Sequence, residues 1–180
     1  MIKRILLIVV TLVSLNTTKT YAQADPPSEK QLEREDGKHK GLQLDRSLLI
    51  KRLKVGDSTL NFTEQKADGN MPVLIAHGTN NSIVQIAGTE NNIRKVTYQV
   101  FLVPDNVEVV KKEFIKAGMS VGAVVPDRKS MDWLFKIYSD LSLHPSKEIK
   151  ESYSLTGNLL SFVYDPVAKT IIVTITTEYH

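Results

Sequence analysis

The chain has 180 residues, 42% hydrophobic and 24% charged, with 23 Lys+Arg against 20 Asp+Glu and no cysteine. The missing cysteines exclude disulfides, thiolate metal sites and a lipid-modified N-terminal cysteine. Three of the 23 basic residues, Lys3, Arg4 and Lys19, lie in an opening stretch without acidic residues, which leaves 20 basic against 20 acidic side chains in the rest. Global basicity therefore gives no argument for a nucleic-acid partner.

In chain order, the first element predicted is a secretory signal peptide over residues 1–24. A basic start, Met1-Ile2-Lys3-Arg4, precedes an apolar run from Ile5 to Leu15, and small residues close the segment at Ala22-Gln23-Ala24. That order of basic, apolar and small-residue regions is the pattern read by the secretion machinery. A membrane anchor is the competing reading, but a spanning helix needs roughly 20 apolar residues. Here Thr11 and Ser14 interrupt the run and Asn16 ends it. The expected location is secreted or periplasmic, with no stable membrane span after cleavage. Residues 25–46 carry two prolines, dense mixed charge and few large apolar side chains. Such a stretch buries too little surface to offset its ordering entropy, so it reads as a flexible lead or a frayed helix around residues 28–35.

A single domain is expected over residues 47–180. Leu48 to Val55 reads as a strand, Gly56-Asp57 as a turn, and Thr59 to Thr63 as a second strand. Pro72 to His77 and Ile83 to Ala87 flank Gly78-Thr79-Asn80-Asn81, and Gly and Asn tolerate the positive φ of a tight hairpin. After a second Asn-rich turn at 90–92, Val96, Tyr98, Val100 and Leu102 alternate with Lys95, Thr97 and Gln99. Period two of this kind predicts a strand with one buried face.

Helices come next. Pro104-Asp105-Asn106 offers a cap, Val107, Val110, Phe114 and Ala117 recur at helical spacing, and Gly118 reads as the C-terminal stop. Val121 to Val125 is then an extended apolar run, and Ser130 to Leu141 a second amphipathic helix through Met131, Leu134, Phe135, Tyr138 and Leu141. The chain closes on strands over 151–155, 159–164 and 170–177, with a turn at Asp165-Pro166. Strand clusters joined by hairpin turns, with helices grouped between them, predict an α+β fold. The expectation is a mainly antiparallel sheet of about six to eight strands with two central helices packed on one face.

Gly118-Met119-Ser120-Val121-Gly122 matches G-x-S-x-G, the nucleophile-elbow pattern of serine hydrolases, and Asp127, Asp132 or Asp140 followed by His144 supplies the remaining chain order. The pattern works only as a sharp turn from strand into helix. Here the predicted helix comes before the motif and not after it. Ser120 with Asp140 and His144 is therefore the alternative reading and not the main one. His39, His77, His144 and His180 show no metal-ligand spacing, so no metal is expected, and the absence of glycine-rich phosphate loops predicts no cofactor. The pairs Asp127 with Asp132 and Glu148 with Glu151 are ordinary surface spacings. Asn61-Phe62-Thr63 and Asn80-Asn81-Ser82 match glycosylation sequons, which marks them as exposed turns or strand edges.

Signal, neutral charge and the absence of a coherent reactive set point to an exported, soluble, non-catalytic binding or interaction domain. Its expected partner is a protein or peptide at the cell surface or in the periplasm. Trp133, beside the best apolar stripe, is the residue expected on the rim of a binding surface. A small-ligand or lipid carrier with a cavity lined by Val100, Leu102, Phe114 and Phe135 is a further alternative.

Overall fold

The computed structural model describes residues 41–68, 71–102 and 107–177. The signal peptide expected at 1–24, the charged stretch up to residue 40 and the cap expected at 104–106 lie outside the described residues. The first described helix, α1 (Arg46–Gly56), corrects the expected strand at 48–55. Its buried residues are Leu49 and Leu53, four apart, so they share one helical face while Lys51, Arg52 and Lys54 face solvent. Asp45 caps the N-terminus by accepting from the Leu48 N–H at 2.9 Å, a substitute for the partners that a first helical turn lacks. Before α1, Leu42 is buried and its N–H donates to Ile93 O at 2.7 Å, so packing begins ahead of residue 47.

Residues 57–60 form a turn held by Asp57, and the strand expected at 59–63 instead starts where that one was to end, as β1 (Thr63–Asp68). It is followed by β2 (Met71–His77), a single 3-10 turn at Thr79–Asn81, β3 (Ile83–Thr89) and β4 (Asn92–Phe101). Two helices, α2 (Val107–Val124) and α3 (Arg128–Leu143), precede β5 (Ile149–Leu155), β6 (Asn158–Asp165) and β7 (Thr170–Thr177). The seven strands form one sheet in the order β1-β2-β3-β4-β7-β6-β5, and every neighbouring pair is antiparallel. The α+β class with an antiparallel sheet is as the patterning predicts.

Register explains why the described helices α2 and α3 pack on one face of the sheet. Val84, Tyr98, Val173 and Phe162 stand side by side across β3, β4, β7 and β6, and all are buried. The next row, Gln85, Thr97, Thr174 and Ser161, is polar and points the other way, because successive strand residues alternate in direction. Phe114 of α2 lies 5.9 Å, centroid to centroid, from Phe162, which places the helices on the apolar side. Full burial of a side chain such as Phe162 stabilises by about 1.5–3 kcal/mol.

The hairpin between β5 and β6 closes in two residues, Thr156 and Gly157, with φ of 51° and 81°. Positive φ at both positions gives the backbone twist that matches the flanking strands. One boundary differs from expectation in a way that bears on function. Gly118 does not end α2, which continues through Gly122 to Val124 and absorbs the run expected to be extended. Ala117, Val121 and Val124 recur at helical spacing and are buried. Their burial carries the helix through two glycines that local propensity alone would read as punctuation.

Candidate binding groove

Three residues join α2 to α3, and the contacts along them run in opposite directions. Phe114 lies 4.8 Å from Tyr138 by ring centroids, and a Cβ on Gly118 would sit 3.2 Å from Met131. The two helices are thus an antiparallel hairpin. Asp127 starts α3 by accepting from the Lys129 N–H at 2.7 Å. Between the helices, on the side away from the sheet, runs a groove of about 260 Å³ bordered by Ile115, Gly118, Met119, Gly122, Met131 and Phe135. Phe114 and Leu134 form its buried base. Ile115 is 53% exposed, Met119 44% and Phe135 62%. Large apolar side chains are unremarkable singly on a surface, but a contiguous cluster around a concavity is the usual mark of a contact site.

The opposite side of α2 holds a polar cluster built on Glu113. Glu113 is fully buried, and its carboxylate accepts from Tyr98 Oη at 2.6 Å, Asn80 Nδ2 at 2.7 Å and Lys116 Nζ at 3.1 Å. Lys116 also reaches Asp57 at 3.3 Å and donates to the Thr79 hydroxyl. Asp57 in turn accepts from the Thr79 N–H at 3.0 Å and the Thr59 N–H at 3.1 Å. Burial alone would raise the Asp57 carboxyl, but hydrogen bonds from Thr59 and Thr79 outweigh it and hold the group well below the usual carboxylate range. Burial, reinforced by the Glu113 carboxylate it donates to, pushes the Tyr98 phenol far above its ordinary value. These contacts clamp the end of α1, the 78–82 loop and strand β4 to α2. They also hold Asn80 and Asn81 at φ of 54° and 58°, a conformation that asparagine tolerates better than most residues. With Lys116 shared among three oxygens and Glu113 sealed from solvent, the cluster's chemistry is structural.

The residues singled out from the sequence are distributed as follows. Ser120 is 8% exposed and sits inside α2, with helix on both sides of it. The strand-to-helix turn that lifts a nucleophile is therefore absent around it. In the antiparallel hairpin Ser120 is level with the start of α3, whereas His144 caps its end, some 14 residues or about 20 Å farther along. Asp140 and His144 approach each other at 4.0 Å on the surface, without Ser120. Asp132 faces Arg128 at 3.8 Å, and Glu148 holds Lys150 at 2.7 Å. Trp133 is half-buried and stacks on Tyr153 of β5 at 6.0 Å, away from the groove. Val100 and Leu102 belong to the core, while Phe114 and Phe135 border the groove. Asn61 is exposed, whereas the Asn80 amide is committed to Glu113. His77 and His144 are exposed, and His39 and His180 lie outside the described residues. Among the described residues no group of three or more His, Asp or Glu side chains is placed to hold a metal ion.

The groove itself was not visible in the sequence, although one signal for it was present. Gly118 and Gly122 are four apart, so in a helix they share a face and leave a trough along it. Comparisons with protein-family models, with curated proteins and with solved structures find no match to this chain. The class is therefore set by architecture alone: an antiparallel α+β domain with a helical layer on one sheet face and an apolar groove in that layer. Among the described residues no helix is long and apolar enough to cross a membrane.

Proposed function

We propose that this chain is an exported, non-catalytic binding domain that takes hold of a protein or peptide through the groove between α2 and α3. The observation that carries the reading is the cluster of Ile115, Met119 and Phe135, exposed around a groove lined by apolar residues. Covering them removes apolar surface from water, worth about 25 cal/mol per Å² before the costs of association. The leader supports export, and the absence of cysteine means that the domain relies on its core and not on disulfides in an oxidising compartment.

The test replaces Phe135 with a photo-crosslinking phenylalanine analogue and, in a parallel strain, Ser152 on the opposite sheet face. Irradiation in the native host is expected to give a discrete adduct from position 135 alone, abolished when Met119→Asp is added. Equal adducts from both positions, or none from 135, would overturn the groove. A chain that stays in the cytoplasm with its leader intact would overturn the export.

A further inference from the structure

The groove described above constrains the shape and charge of what enters it. Its bordering side chains are aliphatic, thioether or aromatic, two of the positions are glycine, and the backbone around them is helical and so already hydrogen-bonded. An extended peptide laid there would find no partner for its own N–H and C=O groups, and burying them unpaired is costly. A helix brings its backbone already satisfied, so it fits where a strand does not.

Gly122 adds an independent observation. A Cβ built on it meets nothing within 4 Å. Packing inside this chain therefore does not require glycine there, although glycine is the poorest helix former after proline. An open floor at this point lets another helix approach α2 closely. The flanks of the groove then set the sign of the charge. Lys111 and Lys112 lie one turn before Ile115, Lys136 follows Phe135, and Lys129 stands near the other end. All four are exposed and, among the described residues, have no ion-pair partner. Of the nearby acids, Asp132 and Asp140 already face cations, and Glu108 lies at the outer end of α2, before Lys111 and Lys112. A second copy of the same hairpin would set lysine against lysine.

We infer that the groove receives an amphipathic α-helix of a partner protein, apolar along one stripe and acidic on both flanks, seated over Gly122. This rests on the binding reading above and specifies the ligand. The groove from Ile115 to Gly122 with its lysine flanks is about 15 Å long, so a partner of roughly three turns spans it.

The test uses the purified full chain and a displayed library of amphipathic helices about 16 residues long. The apolar stripe is fixed and the flanks are randomised among Glu, Gln, Lys and Pro. Enriched sequences are expected to carry Glu on the flanks and to exclude Pro. Their affinity is expected to fall about tenfold or more in Gly122→Leu and to weaken with added salt. Lys-flanked or Pro-containing winners, no enrichment, or indifference to Gly122→Leu would overturn the inference. So would capture by phosphatidylcholine vesicles containing phosphatidylglycerol that survives Gly122→Leu, since it would assign the face to a lipid surface. If the adduct from position 135 still forms while the library result is negative, the binding reading stands and only the helical, acidic ligand is lost.

Discussion

Helix α2 presents two sides that treat their side chains in opposite ways. Glu113 and Lys116 reach inward and exchange hydrogen bonds with Tyr98, Asn80, Thr79 and Asp57. Ile115 and Met119, interleaved with them in sequence, stand half-exposed beside a groove. The inward side places charge where water is absent and supplies partners for it. The outward side places carbon where water is present, and the described residues cover it only in part, with Met119 meeting Gly56 of α1. The first arrangement is complete within one chain. The second is complete only with something added, and that asymmetry separates the part of α2 that makes the fold from the part that makes a contact.

The largest test of this contrast is Glu113→Leu. It strips the acceptor from the buried Tyr98 phenol, from Asn80 and from the part-buried Lys116 together, a class of change that costs about 3–5 kcal/mol. Urea unfolding is expected to show a loss of that size, and a change within 1 kcal/mol would mean that the cluster is not what ties α2 to the 78–82 loop. Asp57→Asn is expected to cost less, about 1.5–3 kcal/mol, through weakened charge-assisted bonds to Thr59, Thr79 and Lys116. It also has a pH signature. The folded carboxyl titrates below its ordinary value of 3.8, so its stabilisation is complete above the unfolded value and drains away as pH falls through the depressed one. The native protein should therefore lose stability more steeply than Asp57→Asn from about pH 4 downward. Parallel curves would remove Asp57 from the account.

The smallest effect sits on the outward side and has the opposite sign. Gly122→Ala meets open space and improves helix propensity, so thermal melting should show a gain of about 0.5–1 kcal/mol. A loss instead would mean that the trough is already filled from within the chain.

The hairpins were legible in the sequence for a plain reason. Alternation such as Val96, Tyr98, Val100 against Lys95, Thr97, Gln99 has one physical solution, a half-buried strand, and Asn-rich turns mark its ends. Residues 48–55 lacked that clarity. Leu48, Leu49, Ile50, Leu53 and Val55 satisfy either period, and only the tertiary choice to bury Leu49 and Leu53 decides for a helix. Gly118 misled because glycine is local punctuation, whereas the burial of Ala117, Val121 and Val124 is a property of the whole fold. Phe135, in the apolar stripe of α3, read as part of a cavity wall with Val100, Leu102 and Phe114, and it borders the groove instead, because a stripe gives a face but not the distance between neighbouring helices. The inward cluster joins Asp57, Thr79, Tyr98 and Lys116 across long sequence separations, and no local pattern announces it. Trp133 read as a rim residue because it stands beside the stripe, and the structure gives it Tyr153 as a neighbour.

The strand order has a consequence for how the molecule comes into being. At the middle of the sheet β4 meets β7, and β7 is the last of the described elements. Without β7, β4 has a bare edge and β6 is unpaired along one side. Closure of the sheet needs the eight residues Thr170–Thr177, which dock between the two halves like the final stave of a cask. Until they dock, the two halves of the sheet share no strand pairing, and their contact runs through α2, which meets both Tyr98 and Phe162.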